Sequence, residues 1–165
     1  MRRLVHTVLF LLAVLPSAWA QSADPPEGRS VSIGTCLERF TERGTSLTGV
    51  GPVLVIEGYE NSFVWAVEAG CALSGEKRLL NMSFRFGYGI PVWRGRLTLM
   101  MRSGILCIPG MCNGSWSGVG VGLDVPLFWR IGLFVEGWKD YNLISLIGSS
   151  GCNSLCGVMG IKVDI

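Results

Sequence analysis

From Leu80 to Val92 every second residue is large and apolar: Leu80, Met82, Phe84, Phe86, Tyr88, Ile90 and Val92. Between them stand Asn81, Ser83, Arg85, Gly87, Gly89 and Pro91, which are polar, charged or small. A period of two belongs to a strand with one apolar and one polar face. Soluble strands are commonly about five or six residues long, whereas a tilted strand needs roughly nine to eleven to cross hydrocarbon. The stretch Lys77 to Met101 is therefore expected to hold a lipid-facing strand that reverses through Pro91 to Arg96 into a second.

The rest of the chain has to supply partners for such a strand. Inside a bilayer every backbone N–H and C=O must be satisfied within the protein, so strands can span only as a closed barrel. The composition agrees. Hydrophobic residues make up 49% of the chain and mean hydropathy is +0.45, yet beyond residue 20 no run of 18 apolar residues occurs, and 23 glycines punctuate the alternation.

The first residues read differently. Arg2 and Arg3 precede an apolar run from Leu4 to Leu15, Pro16 breaks it, and Ala18-Trp19-Ala20 forms a small-x-small site. This is the pattern of an export signal. The expected division is a signal peptide at 1–20, a short polar leader at 21–28 and a barrel at 29–165. Without Arg2 and Arg3, 12 basic residues face 12 acidic ones. A neutral chain has no basic footprint for nucleic acid.

Taken in order, the strands are expected at Arg29–Glu38, Val50–Glu57, Phe63–Leu73, Leu80–Val92, Leu97–Gly104, Trp116–Leu127, Arg130–Lys139 and Gly157–Ile165. In the sixth, Val119, Val121, Leu123, Val125 and Leu127 alternate with Gly118, Gly120, Gly122, Asp124 and Pro126. Alternate glycines waste packing in a soluble core but suit the crowded interior of a narrow barrel. The connections between strands two and three, four and five, and six and seven are short. Those between one and two, five and six, and seven and eight are long. Short turns on the periplasmic side and longer loops outside are the rhythm of membrane barrels.

With its export signal, alternating strands such as LNMSFRFGYGIPV and this loop rhythm, the mature chain resembles the small eight-stranded bacterial outer-membrane barrels, the OmpX-like and OmpA N-terminal barrels. It differs from them in ending on Ile165 rather than an aromatic residue, and in being rich in cysteine. The resemblance implies an all-β fold, an eight-stranded antiparallel up-and-down transmembrane β-barrel, located in the bacterial outer membrane. It implies outer-membrane lipid and the barrel-assembly machinery as partners, with a further surface partner reached through the loops.

The inward parity collects Glu68, Arg85, Arg102, Asp124, Glu136 and Lys162, three acids and three bases. The expected role is a salt-bridged plug that neutralises itself, since unbalanced buried charge is costly; a selectivity constriction is the functional alternative. No cofactor is expected. The only histidine is His6, so an acyl-transfer site pairing serine with histidine lacks its base beyond the signal, and enzymatic activity is not expected.

An oxidising compartment and six cysteines point to disulfides. Local bridges Cys107–Cys112 and Cys152–Cys156 are expected on the outer loops, with Cys36 and Cys71 near the same rim. CIPGMC and CNSLC with no nearby histidine make a poor zinc pattern, and no metal site is expected. Trp65, Trp93, Trp129, Trp138, Tyr59, Tyr88 and Tyr141 are expected to form interfacial belts. The function expected is structural or adhesive, carried by the extracellular loops. A narrow pore of the same fold is one alternative. A secreted disulfide-stapled lipocalin-like carrier is another, with Leu80, Phe84, Phe86 and Tyr88 turned inward.

Overall fold

The computed structural model describes residues 28–42, 45–93, 95–108, 112–142 and 152–165. The signal peptide expected at 1–20, most of the leader and most of the apolar stretch Tyr141–Gly148 lie outside them. Eight strands run in chain order: β1 (Gly28–Glu42), β2 (Thr45–Glu60), β3 (Phe63–Ser74), β4 (Lys77–Val92), β5 (Gly95–Ile108), β6 (Cys112–Phe128), β7 (Ile131–Asn142) and β8 (Cys152–Asp164). Each pairs antiparallel with its neighbours, and β1 pairs with β8 to close the barrel. Closure leaves no free sheet edge, as a span through hydrocarbon demands.

The outward parity is apolar on every strand. Ile33 and Leu37, Leu54 and Ile56, Phe63 and Val67, Met82 and Phe84, Leu99 and Met101, Val119 and Val121, Leu133 and Val135, and Met159 and Ile161 are all exposed. In water such a surface would be one continuous apolar patch, far larger than soluble monomers carry. Leu80, Phe84, Phe86 and Tyr88 are among the exposed residues, so the carrier arrangement that would bury them is not the one adopted.

At one rim the hairpins turn in two residues, at Asn61-Ser62, at 93–94 and at Trp129-Arg130. The first residue of each turn has a left-handed backbone, with φ of 55° at Asn61, 53° at Trp93 and 49° at Trp129. Asparagine tolerates this region; tryptophan rarely occupies it. Trp93 and Trp129 are 83% and 90% exposed, placed where an aromatic belt meets the membrane edge. Tyr59 and Trp138 depart from that belt. Trp138 is fully buried in the lumen, and Tyr59 turns inward at the rim to lie under Arg96 and Lys162.

The strands also run further than their apolar alternation. β1 and β2 approach to Glu42 and Thr45, β5 and β6 to Ile108 and Cys112, and β7 and β8 to Asn142 and Cys152. These ends contain Thr41, Ser46, Ser115 and Asn153, which read as loop. Above the hydrocarbon the outward face has no need to be apolar, while the backbone ladder continues.

Candidate functional site

The lumen is filled by side chains, and its charged members form two clusters stacked along the barrel axis. Nearer the short turns, Arg96 of β5 and Lys162 of β8 share Glu57 of β2 and Asp124 of β6. Arg96 donates from Nε and Nη2 to Asp124 Oδ2 at 3.2 and 2.8 Å and from Nη2 to Glu57. Lys162 Nζ donates to the same Asp124 oxygen at 3.0 Å and to Glu57. Two cations and two carboxylates from four strands thus cross the interior.

The second cluster lies deeper. Arg85 of β4 pairs with Glu68 of β3, and its Nη1 donates to Oε1 and Oε2 of Glu136 on β7 at 2.9 and 2.7 Å. Arg102 of β5 makes a bidentate fork to Asp140 of β7, Nε to Oδ1 at 2.9 Å and Nη2 to Oδ2 at 2.7 Å. It also reaches Glu68 at 3.3 Å. Such planar two-point contacts are the strong form of an arginine–carboxylate pair. The Trp138 ring lies under both guanidinium groups, at 4.8 Å from Arg85 and 4.4 Å from Arg102, and its indole N–H donates to Glu136 at 2.9 Å. Trp116 also packs against the Arg102 guanidinium, at 4.6 Å.

Between and above the clusters the filling is apolar or small. Phe134 stands in one ladder row with Gly160 and Gly34 and occupies the space those glycines leave. Gly120 makes room for the Trp138 ring and Gly118 for the Asp140 carboxylate, since a Cβ at either would collide with them. The alternate glycines of β6 are therefore matched to the large inward residues of β7.

All six inward charges expected from the sequence, Glu68, Arg85, Arg102, Asp124, Glu136 and Lys162, face the lumen and belong to these clusters. Glu57, Arg96 and Asp140 join the clusters, and Glu38 also faces the lumen. Glu38 is buried and accepts a hydrogen bond from Ser154 at 2.8 Å. The added residues change the balance: among the described inward-facing buried or half-buried residues, six carboxylates face four cations, rather than an equal count.

The cysteines are corrected. Cys36, Cys71, Cys107 and Cys156 are free thiols, so neither Cys107–Cys112 nor Cys152–Cys156 is bridged in this structure. Cys152 and Cys156 sit four residues apart on one strand, about 13 Å along an extended chain, whereas a disulfide needs Cα atoms within about 7 Å. Cys107 pairs with Asn113 while Cys112 pairs with Ile108, which puts the two cysteines at opposite parity. Cys36 and Cys156 are buried within the barrel. Among the described residues no group of three or more His, Cys, Asp or Glu side chains is arranged to hold a metal ion.

No protein-family model matches the sequence, and no curated protein matches it significantly. Among solved structures the barrel is similar to Neisserial surface protein A, with a TM-score of 0.69 and 15% identity, covering 82% of this chain and 96% of that one. It is also similar to OprG, an outer membrane protein of Pseudomonas aeruginosa (TM-score 0.54, 9% identity, 84% and 96% covered). A third is Ail, the attachment invasion locus protein of Yersinia pestis (TM-score 0.50, 15% identity, 83% and 99% covered). At these identities the likeness is one of fold: the chain has the architecture of the small eight-stranded outer-membrane barrels.

Proposed function

We propose that the protein is an integral barrel of the bacterial outer membrane with a closed lumen, and that it acts through the loops at its far rim, in attachment or another surface interaction. The observation that carries this reading is the interior: two layers of ion pairs tie β3, β4, β5 and β7, and β2, β5, β6 and β8, across the barrel. A path for ions or solutes would have to break the pairs of the deeper layer, which are buried away from water. What remains for recognition is the rim at which β1 joins β2, β3 joins β4, β5 joins β6 and β7 joins β8. Two similar folds carry names of this kind, a Neisserial surface protein and an attachment invasion locus protein.

The test is expression of the full chain on cells that do not otherwise adhere, scored on epithelial monolayers beside an empty vector. Adhesion above the vector, lost when 143–151 is replaced by a Gly-Ser linker in a barrel that still shows heat-modifiable gel migration, is the expected result. No adhesion, or adhesion indifferent to the replacement, contradicts the surface role. Steady conductance of the purified protein in a planar bilayer contradicts the closed lumen.

A further inference from the structure

Leu155 of β8 lies in one ladder row between Arg39 of β1 and Lys139 of β7. All three belong to the outward parity, on the part of each strand nearer the long loops, so two cations stand on the lipid-facing surface. Neighbouring strands are about 4.8 Å apart, which puts the two backbones about 10 Å apart and leaves both side chains able to reach one group above Leu155. Among the described residues neither cation has a carboxylate within ion-pair distance. Lys139 is oriented instead by the Tyr141 ring, 5.7 Å from its ammonium, in the next row toward the rim, which also holds Asn153 and Thr41.

The row on the other side is Leu37, Gly157 and Gly137, followed by Thr35, Met159 and Val135. Gly137 and Gly157 face outward, and a Cβ on either would meet nothing within 4 Å. No neighbour forces glycine there. The pair leaves a bare gap one row deep and two strands wide just below the two cations, walled by Leu37 on β1 and by Val121 on β6 and closed toward the apolar band by Val135 and Met159.

We infer that this outward face of β7, β8 and β1 is a binding site for a phosphorylated lipid of the outer leaflet. The phosphate sits between Arg39 and Lys139, and an acyl chain lies over Gly137 and Gly157. A guanidinium and an ammonium at the polar edge of the hydrocarbon attract an anionic headgroup, and the gap below admits the first carbons of its chain before they pass over Val135 and Met159. Arg78 provides a contrast, since its row partner is Leu73 and no second cation shares that row. The inference rests on the outer-membrane reading but not on any role of the loops.

The full-length barrel, folded in detergent micelles and verified by heat-modifiable migration, is titrated by native mass spectrometry with bisphosphorylated lipid A, with the same lipid dephosphorylated, and with inorganic phosphate. Bisphosphorylated lipid should bind in discrete steps. It should bind about tenfold to thirtyfold more weakly to Arg39→Gln/Lys139→Gln, while Arg78→Gln leaves binding unchanged. Gly137→Leu/Gly157→Leu should weaken the lipid without creating phosphate binding. Equal binding of the dephosphorylated lipid, an equal loss in Arg78→Gln, or saturation by inorganic phosphate alone overturns the site. If the double variant does not fold, Lys139→Gln alone and the salt dependence of the native protein decide: affinity indifferent to both contradicts it. Failure of the native chain to fold as a barrel at all would instead contradict the membrane reading.

Discussion

Arg85 and Arg102 stand directly opposite one another on β4 and β5, both inside the barrel and both almost completely buried, at 0% and 1% exposure. Like charges facing across a ladder repel. The conflict is resolved by what surrounds them: Glu68 pairs with both, Glu136 takes Arg85, Asp140 takes Arg102, and the Trp138 ring stacks beneath the two. The centre of the protein is thus a charge network gathered around one arginine pair.

Glu68 is the only one of these carboxylates shared by both arginines, so Glu68→Gln should remove the bridge between them and leave each with a single carboxylate, Glu136 for Arg85 and Asp140 for Arg102. The expected loss is about 1–3 kcal/mol of unfolding free energy, the cost of the buried guanidinium donors left without their acceptor. Urea titration of the folded barrel in vesicles measures it. Adding Arg102→Met to Glu68→Gln should deepen the loss, because Asp140 is then buried without its arginine.

Trp138 contributes volume, two cation–π faces and one hydrogen bond. Trp138→Ala should cost about 3–5 kcal/mol through the cavity it leaves. Trp138→Phe keeps the ring and loses the bond to Glu136, and should cost about 1–3 kcal/mol. Equal effects of the two substitutions in the same titration would show that the bond to Glu136, rather than packing, dominates here.

The glycines divide by face. Gly120→Val drives a side chain into the Trp138 ring and should destabilise by about 1–3 kcal/mol through overpacking. Gly137→Val, where a Cβ meets nothing within 4 Å, should leave stability unchanged or slightly raised. A pair of urea midpoints in that order supports the assignment of faces.

On the outer surface, Val121→Lys places an ammonium in the apolar band and should cost about 2–4 kcal/mol. The same substitution at Ser117, nearer the loop end of β6 and also outward, should cost about 0–1 kcal/mol. Comparable losses at the two positions would contradict the membrane depth assigned to β6.

The fold was legible because lipid imposes a rule on sequence: outward residues must be apolar, so the inward set is read by parity. That rule placed Glu68, Arg85, Arg102, Asp124, Glu136 and Lys162 inside. It fails where the rule itself lapses. Glu57 follows the run Val53-Leu54-Val55-Ile56, in which Val53 and Val55 are apolar yet inward, so alternation vanishes and the register with it. Arg96 looks like part of a reversal, but the turn takes only two residues, 93–94, and Arg96 already belongs to β5. Asp140 reads as the start of a loop because β7 there has left the hydrocarbon, while the ladder to β8 continues. Cysteine spacing reports neither strand register nor parity, which is why both expected bridges fail.

The central claim is that the apolar parity meets lipid and the charged parity closes the lumen. A lipid-soluble, carbene-generating photolabel applied to the native barrel in vesicles, mapped by tandem mass spectrometry, tests it without a substitution. Label on Met82, Phe84 and Phe86 of β4 and on Met159 and Ile161 of β8, with Asn81, Ser83, Arg85 and Lys162 unlabelled, is the predicted result. Label on Ser83, Arg85 and Lys162 with Phe84 and Ile161 protected would contradict it.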